Sequence, residues 1–349
     1  MHKNFRDKIN LPDRFIIICA CNPYRTLCKS NQNLQFGLSM KNRKKRKLVY
    51  TVEPLPYSLL NFVLYFNNLS DETTLKYIEK MNEGIKCDLS NECRILIKEL
   101  VFRAHLFIIS KGDVSSVSLR EIRRFANVYN YFFETYLEKY IKIKLIPKEK
   151  EIKALALSIY ICYYLRLPTP DLRKTFIDEI IKDSIPLLEI CVKESQFITE
   201  KVLEGKTGFA KNKGLCENIF SEFICVMIKE PLIICGKPGS SKSLSVRLLL
   251  NAMRGEESNI EFFKQFPEII SSFYQCSLTS TSENLEKVFN DAQNILYQKK
   301  DIISLIFMDE MGIADESENN PLKFLHSKFD DNSYEIKDNK SIAFIGISN

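Results

Sequence analysis

The chain has 349 residues, enough to bury one large core or two, and its 45% hydrophobic and 27% charged composition excludes wholesale disorder. A formal net charge of +6 and a pI near 8.6 are too mildly basic to imply a nucleic-acid partner. No run reaches the roughly 18 apolar residues of a membrane span, and His2 to Asp7 carries no signal-peptide core.

The eleven cysteines follow no metal-type rhythm and only three histidines accompany them, so buried free thiols in a reducing, cytoplasmic setting are expected, with a structural zinc near the Cys19-x-Cys21 pair as the alternative. In chain order, Arg14 to Asn22 reads as an apolar strand running into Asn22-Pro23. The basic run Lys41 to Lys47 suits a solvated loop, or a nuclear-localisation or anion-binding patch. Leu48 to Val52 reads as a short strand, ended by Pro54 and Pro56. Ser58 is placed to cap a helix whose Leu59, Leu60, Phe62, Val63 and Phe66 form one apolar stripe. A second amphipathic helix is predicted over 92–111.

Ser118, with Glu121 three residues on, makes a capping box and predicts a helix start that carries Arg120 in its first turn. Phe125, Tyr129, Phe132, Phe133, Tyr136 and Tyr140 continue that helix as an aromatic stripe, fit for core packing or, alternatively, for base stacking. Helical periodicity holds from about 150 to 205 with a break at Pro168-Thr169-Pro170, and reads as a helical linker.

The chemistry concentrates in the last third. Pro231 to Cys235 reads as a buried strand and Leu244 to Leu250 as the apolar face of a helix. Between them lies Gly236-Lys237-Pro238-Gly239-Ser240-Ser241-Lys242-Ser243, a turn whose N–H groups and following helix N-terminus suit phosphate oxygens. Lys242 can reach the outer phosphates of ATP, and the Ser243 hydroxyl can complete the shell of Mg²⁺. The usual pattern has Gly where Ser241 stands. If that position needs φ > 0, the Cβ costs roughly 1 kcal/mol.

Ile302 to Met308 is a near-continuous apolar run ending in Asp309-Glu310, as expected of a parallel strand buried on both faces with carboxylates at the ligand crevice. Asp309 would hold Mg²⁺ through water and Glu310 would polarise an attacking water. Together the loop and the strand predict a P-loop nucleoside triphosphatase. Ser341 to Ser348 is a further apolar strand, ending on Asn349.

A polar residue at the tip of that strand resembles the sensor-1 position of AAA+ ATPases, which implies that Asn349 helps to position water. The Ser118-Leu119-Arg120-Glu121 helix start resembles the sensor-2 helix of AAA+ lids, which implies that Arg120 contacts a nucleotide's γ-phosphate. Asn22, at the end of its own apolar strand, resembles a second sensor-1 residue. Taken with Ala20 to Arg25, Val52 to Leu60, Val114 to Arg124, Leu157 to Leu167, Leu215 to Asn218, Gly236 to Leu244, Phe307 to Gly312, Pro321 to His326 and Gly346 to Asn349, the chain resembles mysterin-like proteins. These are giant AAA+ ATPases that are also RING-type ubiquitin ligases, and their phosphate loop accommodates a Ser-Ser-Lys-Ser ending.

The resemblance implies an α/β fold. A P-loop AAA+ large subdomain with a parallel sheet would occupy the C-terminal half, after a mainly α-helical lid and linker. Residues 1–140 would be the sensor-1 strand and lid of an upstream AAA+ module, 141–205 a helical linker, and 206–349 the start of a second module. Gly236, Pro238, Gly239, Ser240, Ser241, Lys242, Ser243 and Leu244 would bind ATP, Ser243 and Asp309 would hold Mg²⁺, and Glu310 and Asn349 would act in hydrolysis. Neighbouring AAA+ modules of the same chain or ring would be partners, and the source of the arginine finger is left open. Ubiquitin machinery would act through parts of a parent protein, since no RING-like Cys/His spacing occurs here. A nucleotide-sensing module without turnover and a dynein- or midasin-type motor are the alternatives, and the Ser-Ser-Lys-Ser loop argues against the motor.

Overall fold

Four helices of the first half begin where Ser70, Ser90, Ser118 and Thr169 take up unpaired N–H groups of a first turn. The structure, a computed structural model, describes residues 16, 18–21, 55–66, 69–87, 89–112, 116–141, 146–181, 185–299, 301–315, 317, 319–330, 335–336 and 340–349. Ser70 caps α1 (Asp71–Glu83) by accepting from Thr73 N, and Ser90 caps α2 (Asn91–Lys111) by accepting from Cys93 N. The predicted Ser118–Glu121 capping box opens α3 (Leu119–Asn130). That helix runs on over Tyr131–Tyr140 with wider turns, closed by Ile141 N donating to Tyr136 O at 3.0 Å. Then come α4 (Pro147–Cys162), α5 (Pro170–Phe176) and α6 (Ile185–Val202). Pro147 and Pro170 stand in first turns, where a proline's missing N–H is not needed.

Asn212 caps α7 (Lys213–Ile228), and β1 (Leu232–Cys235), α8 (Lys242–Ala252), β2 (Glu268–Gln275), α9 (Ser282–Gln298) and β3 (Ile302–Asp309) alternate after it. The chain closes with α10 (Met311–Asp315), α11 (Lys323–Asp330), the short antiparallel pair β4 (Glu335–Ile336) and β5 (Lys340–Ser341), and β6 (Ala343–Ser348). β1, β6, β3 and β2 lie in that order in one parallel sheet. The predicted α/β class, helical half first and parallel sheet second, is the architecture observed. β3 and β6 are the inner strands. Their apolar residues are buried on both faces, as a continuous apolar run requires.

The aromatic stripe of α3 is core. Phe132 stacks on Phe220 with centroids 6.3 Å apart, and Tyr136 meets Phe223 edge-on at 6.3 Å. One hydrophobic cluster runs from Ile78 and Ile97 through Leu155 and Ile198 to Leu249 and Ile347, so the packing does not break at 140 or at 205. A second cluster, around Phe289, Leu296, Met308 and Phe344, fills the other face of the sheet beneath α9. At the seam of the two halves, Arg124 of α3 donates from Nη2 to the Pro231 carbonyl (3.3 Å), and Asn127 Nδ2 donates to Glu230 Oε1 (2.9 Å).

Three expectations change. The stretch predicted as a helix from Ser58 to Phe66 is a 3-10 turn over Tyr57–Phe62, with Phe62, Leu64, Tyr65 and Phe66 exposed. No residue of that turn is buried, and amphipathic helices owe most of their stability to burying their apolar face. The strand predicted as buried at Pro231 to Cys235 is an edge strand with Ile233 and Cys235 exposed, because β1 pairs only with β6 among the described residues. Of the strand predicted over 14–22, Ile16, Ile18 and residues 19–21 are exposed and unpaired, since no described strand lies beside them to take their backbone bonds. Asn22, the basic run 41–47 and the strand predicted at 48–52 lie outside the described residues.

Candidate functional site

The site is built where β1, β6 and β3 end together. β1 and β6 run in register, Ile233 beside Gly346 and Cys235 beside Ser348. The loop leaving β1 is tied to β6 by Gly236 N donating to Ser348 O (3.2 Å), and it closes on itself through Ser240 N to Lys237 O (3.3 Å). Gly239 takes φ +81° at its tip. Ser241 enters α8 at φ +61° and ψ +18°, the left-handed conformation in which a side chain is strained, and its hydroxyl makes no capping bond.

Lys242 lies buried beneath this loop. Its Nζ stands 2.7 Å from the Gly236 carbonyl, 3.0 Å from the Lys237 carbonyl, 3.3 Å from Ser240 Oγ and 2.9 Å from Asn349 Oδ1. Burial lowers the pKa of this ammonium, while nearby Asp309 pulls the other way. Ser243 Oγ donates to Asp309 Oδ2 (3.0 Å), and Asp309 Oδ1 accepts from Glu310 N (2.9 Å). Glu310 also has positive φ, +57°, where the chain turns from β3 into α10. Met311 then folds back over β6, and a Cβ on Gly346 would meet its Sδ at 2.1 Å. The glycine at 346 is what lets the Asp309-Glu310 turn sit so low on the sheet.

Lys242, Ser243, Asp309, Glu310 and Asn349 thus converge, with Gly236 and Ser240 lining the loop around Lys242. Pro238 and Gly239 are exposed at the loop tip, and Leu244 is 38% exposed in the first turn of α8. Arg120 is exposed in the first turn of α3, its N–H donating to Ser118 Oγ.

Three contributors are given no role by sequence reasoning, although Asn218 ends one of the segments that carry the resemblance. Gln275, opposite Asp309 in the β2–β3 register, donates from Nε2 to Glu310 Oε2 (3.2 Å). Its signal is a polar residue closing an alternating strand, which many strands share. Asn218 and Glu222, one turn apart on α7, approach the loop from behind. Asn218 Nδ2 donates to the Ser240 carbonyl (3.1 Å), and Glu222 Oε1 lies 2.5 Å from Ser245 Oγ.

The donor set fits a magnesium nucleotide. Ser243 and Asp309 bring two hard oxygens together, and Gly236 leaves the loop a cradle, since a Cβ there would press Ser240 Oγ at 3.0 Å. Among the described residues no cluster of three His, Cys, Asp or Glu could hold a metal alone. One carboxylate with phosphate oxygens and water is the way Mg²⁺ is held at phosphoryl-transfer sites.

Comparison with known proteins bears on the same residues. Residues 208–349 match the family model described as the RNF213 AAA domain. The chain is similar to the human E3 ubiquitin-protein ligase RNF213, 31% identical over 370 aligned residues, and to the zebrafish (Danio rerio) E3 ubiquitin-protein ligase rnf213-beta, 29% identical over 364. The mouse RNF213 ligase is 28% identical over 372 residues. Each alignment takes in 95% of this chain and 7% of the relative, so the chain spans a small part of the length of the curated relatives it matches.

Proposed function

Residues 208–349 being an RNF213-type AAA domain, in a chain that is mysterin-like along nearly its whole length, we propose that they bind Mg·ATP at the 236–243 loop and hydrolyse it with the help of a neighbouring module. The carrying observation is the convergence of Lys242, Ser243, Asp309, Glu310 and Asn349 at the ends of three parallel strands.

Backbone N–H groups from Gly239 to Ser243 and the N-terminus of α8 would receive the phosphates. Lys242, already hydrogen-bonded on the loop's inner side, would exchange carbonyl contacts for phosphate oxygens. Ser243 and Asp309 would hold Mg²⁺, which when bound neutralises charge on the transferring phosphoryl group. Glu310, held through Oε2 by Gln275, would take the proton of the attacking water. Asn349, bonded to Lys242, would orient that water at the tip of β6. An arginine from an adjoining AAA+ module would supply stabilisation worth about 10³ to 10⁵ in rate.

The proposal extends to a parent that is a ubiquitin ligase, as the relatives' names say of them, with ubiquitin machinery acting outside this chain. A cytoplasmic setting is part of it, supported by cysteines that are free thiols wherever they are described. No helix among the described residues is long and apolar enough to cross a membrane.

Titration with a fluorescent ATP analogue tests the binding half. Lys242→Ala should remove most binding, and unchanged affinity in the folded variant would refute the site. Glu310→Gln in a chain extended to include the next module should bind ATP and fail to turn it over. Full activity there would reassign the catalytic carboxylate, whereas ATP binding without turnover in the unaltered extended chain would favour a sensing module.

A further inference from the structure

Ser245 Oγ lies 2.5 Å from Glu222 Oε1 and 2.6 Å from the Lys242 carbonyl oxygen. A hydroxyl carries one proton and a carbonyl can only accept. If Ser245 donated to Glu222, two bare oxygens would face each other at 2.6 Å. The arrangement closes only when Ser245 donates to the Lys242 carbonyl and Glu222 brings its own proton to Ser245 Oγ. The surroundings agree. The Glu222 side chain is 0% exposed, and its second oxygen, Oε2, is buried with no hydrogen-bond partner. An unpaired neutral carbonyl costs far less to bury than half of a carboxylate. Burial drives the Glu222 pKa well above the ordinary carboxyl value.

One turn back on the same face of α7, Asn218 holds the Ser240 carbonyl. The two contacts bracket Ser241 to Leu244, the segment that contains the strained Ser241 and presents Lys242 and Ser243. A residue in a sparsely populated conformation persists only where its surroundings hold it.

We propose that α7 is a clamp on the phosphate loop: Asn218 holds its tip, Glu222 as a neutral carboxylic acid holds the first turn of α8, and both are positioning residues for the nucleotide. This rests on the nucleotide-binding reading of the loop, and its tests separate the two. The protonation of Glu222 is read without nucleotide. An infrared difference spectrum of the unaltered chain against Glu222→Gln at neutral pH should show the carbonyl stretch of a protonated carboxylic acid. Loss of a carboxylate band in its place would overturn the neutral acid.

The clamp is read by affinity for the fluorescent ATP analogue, with Lys242→Ala as the control for the site. Asn218→Ala should weaken binding about fivefold, the worth of one hydrogen bond. In the Ser241→Gly background the same substitution should cost less than about twofold, because glycine holds the left-handed conformation unaided. Glu222→Ala should weaken binding, and Glu222→Gln, whose amide can donate to Ser245 Oγ as the acid does, should restore it. If Lys242→Ala abolishes binding while Asn218→Ala leaves it unchanged, or if Asn218→Ala costs the same with Ser or Gly at 241, the clamp is refuted and the nucleotide site stands. If Lys242→Ala changes nothing, the nucleotide site falls first.

Discussion

Replacing Ser241 by glycine isolates the strain stored in the phosphate loop. Ser241 sits at φ +61° and ψ +18°, and a residue with a Cβ in that region costs about 1–2 kcal/mol. Its hydroxyl caps nothing, so no hydrogen bond at the helix start is lost with it. Against the relief stands the greater freedom of glycine in the unfolded chain, about 0.4–1 kcal/mol. The net is a stabilisation of about 0–1.6 kcal/mol, centred near 0.8, which is about 1–2 °C in melting temperature for a chain of this length. Ser241→Ala is the matched control, since it removes the hydroxyl and keeps the Cβ, and it should gain nothing. Urea denaturation without ligand gives the three stabilities directly. Glycine no more stable than alanine would mean that any strain at 241 is no larger than glycine's own unfolded-state cost of about 0.4–1 kcal/mol, and the account of the loop would fail. Nucleotide affinity should hold or tighten in the glycine variant, and a loss beyond tenfold would show that the Ser241 hydroxyl itself touches phosphate or metal.

Two further outcomes follow from the same region. Gly346→Ala would place a Cβ 2.1 Å from Met311 Sδ in a fully packed site, so it should destabilise the fold by about 1–3 kcal/mol. Because Met311 follows Glu310, hydrolysis in the extended chain should fall more than ATP binding does; equal stability and turnover would show that the 310–311 turn has room to move. Glu222 binds its proton more tightly folded than unfolded, so above the ordinary carboxyl value near 4.5 the unfolded chain releases a proton that the native state keeps. Its contribution is therefore full at low pH and is lost as pH rises toward the raised folded value, at about 1.4 kcal/mol per pH unit. Denaturation measured across that range should show this slope relaxed in Glu222→Gln, and an unchanged slope would refute the assignment.

What was legible in the sequence was local. Gly236 to Ser243, Asp309-Glu310 and Asn349 each stand at the end of an apolar run, and the strand that carries each residue also delivers it to the crevice. Ser241 was legible as an anomaly, and its positive φ meets the condition on which the strain argument rests. The rest depends on partners distant in sequence. β2 alternates between half-buried and exposed residues, so Gln275 acquires meaning only from its register with Asp309. Asn218 and Glu222 look like any polar residues of an otherwise apolar helix until α8 is laid against them. The stripe at Leu59, Leu60 and Phe62 has helical spacing, yet period alone does not supply the surface that would bury it.

The seam between the helical array and the sheet has a practical corollary for anyone dividing the molecule. Phe220 and Phe223 of α7 are wholly enclosed, and part of their enclosure is Phe132, Tyr136 and Tyr160 from the other side. Severing the chain at residue 206 would leave those rings facing water and strip Pro231, at the mouth of β1, of its Arg124 contact. The excised nucleotide half would then be a sticky, poorly cooperative fragment. In the uncut chain one hydrophobic cluster spans both halves, so they should melt together.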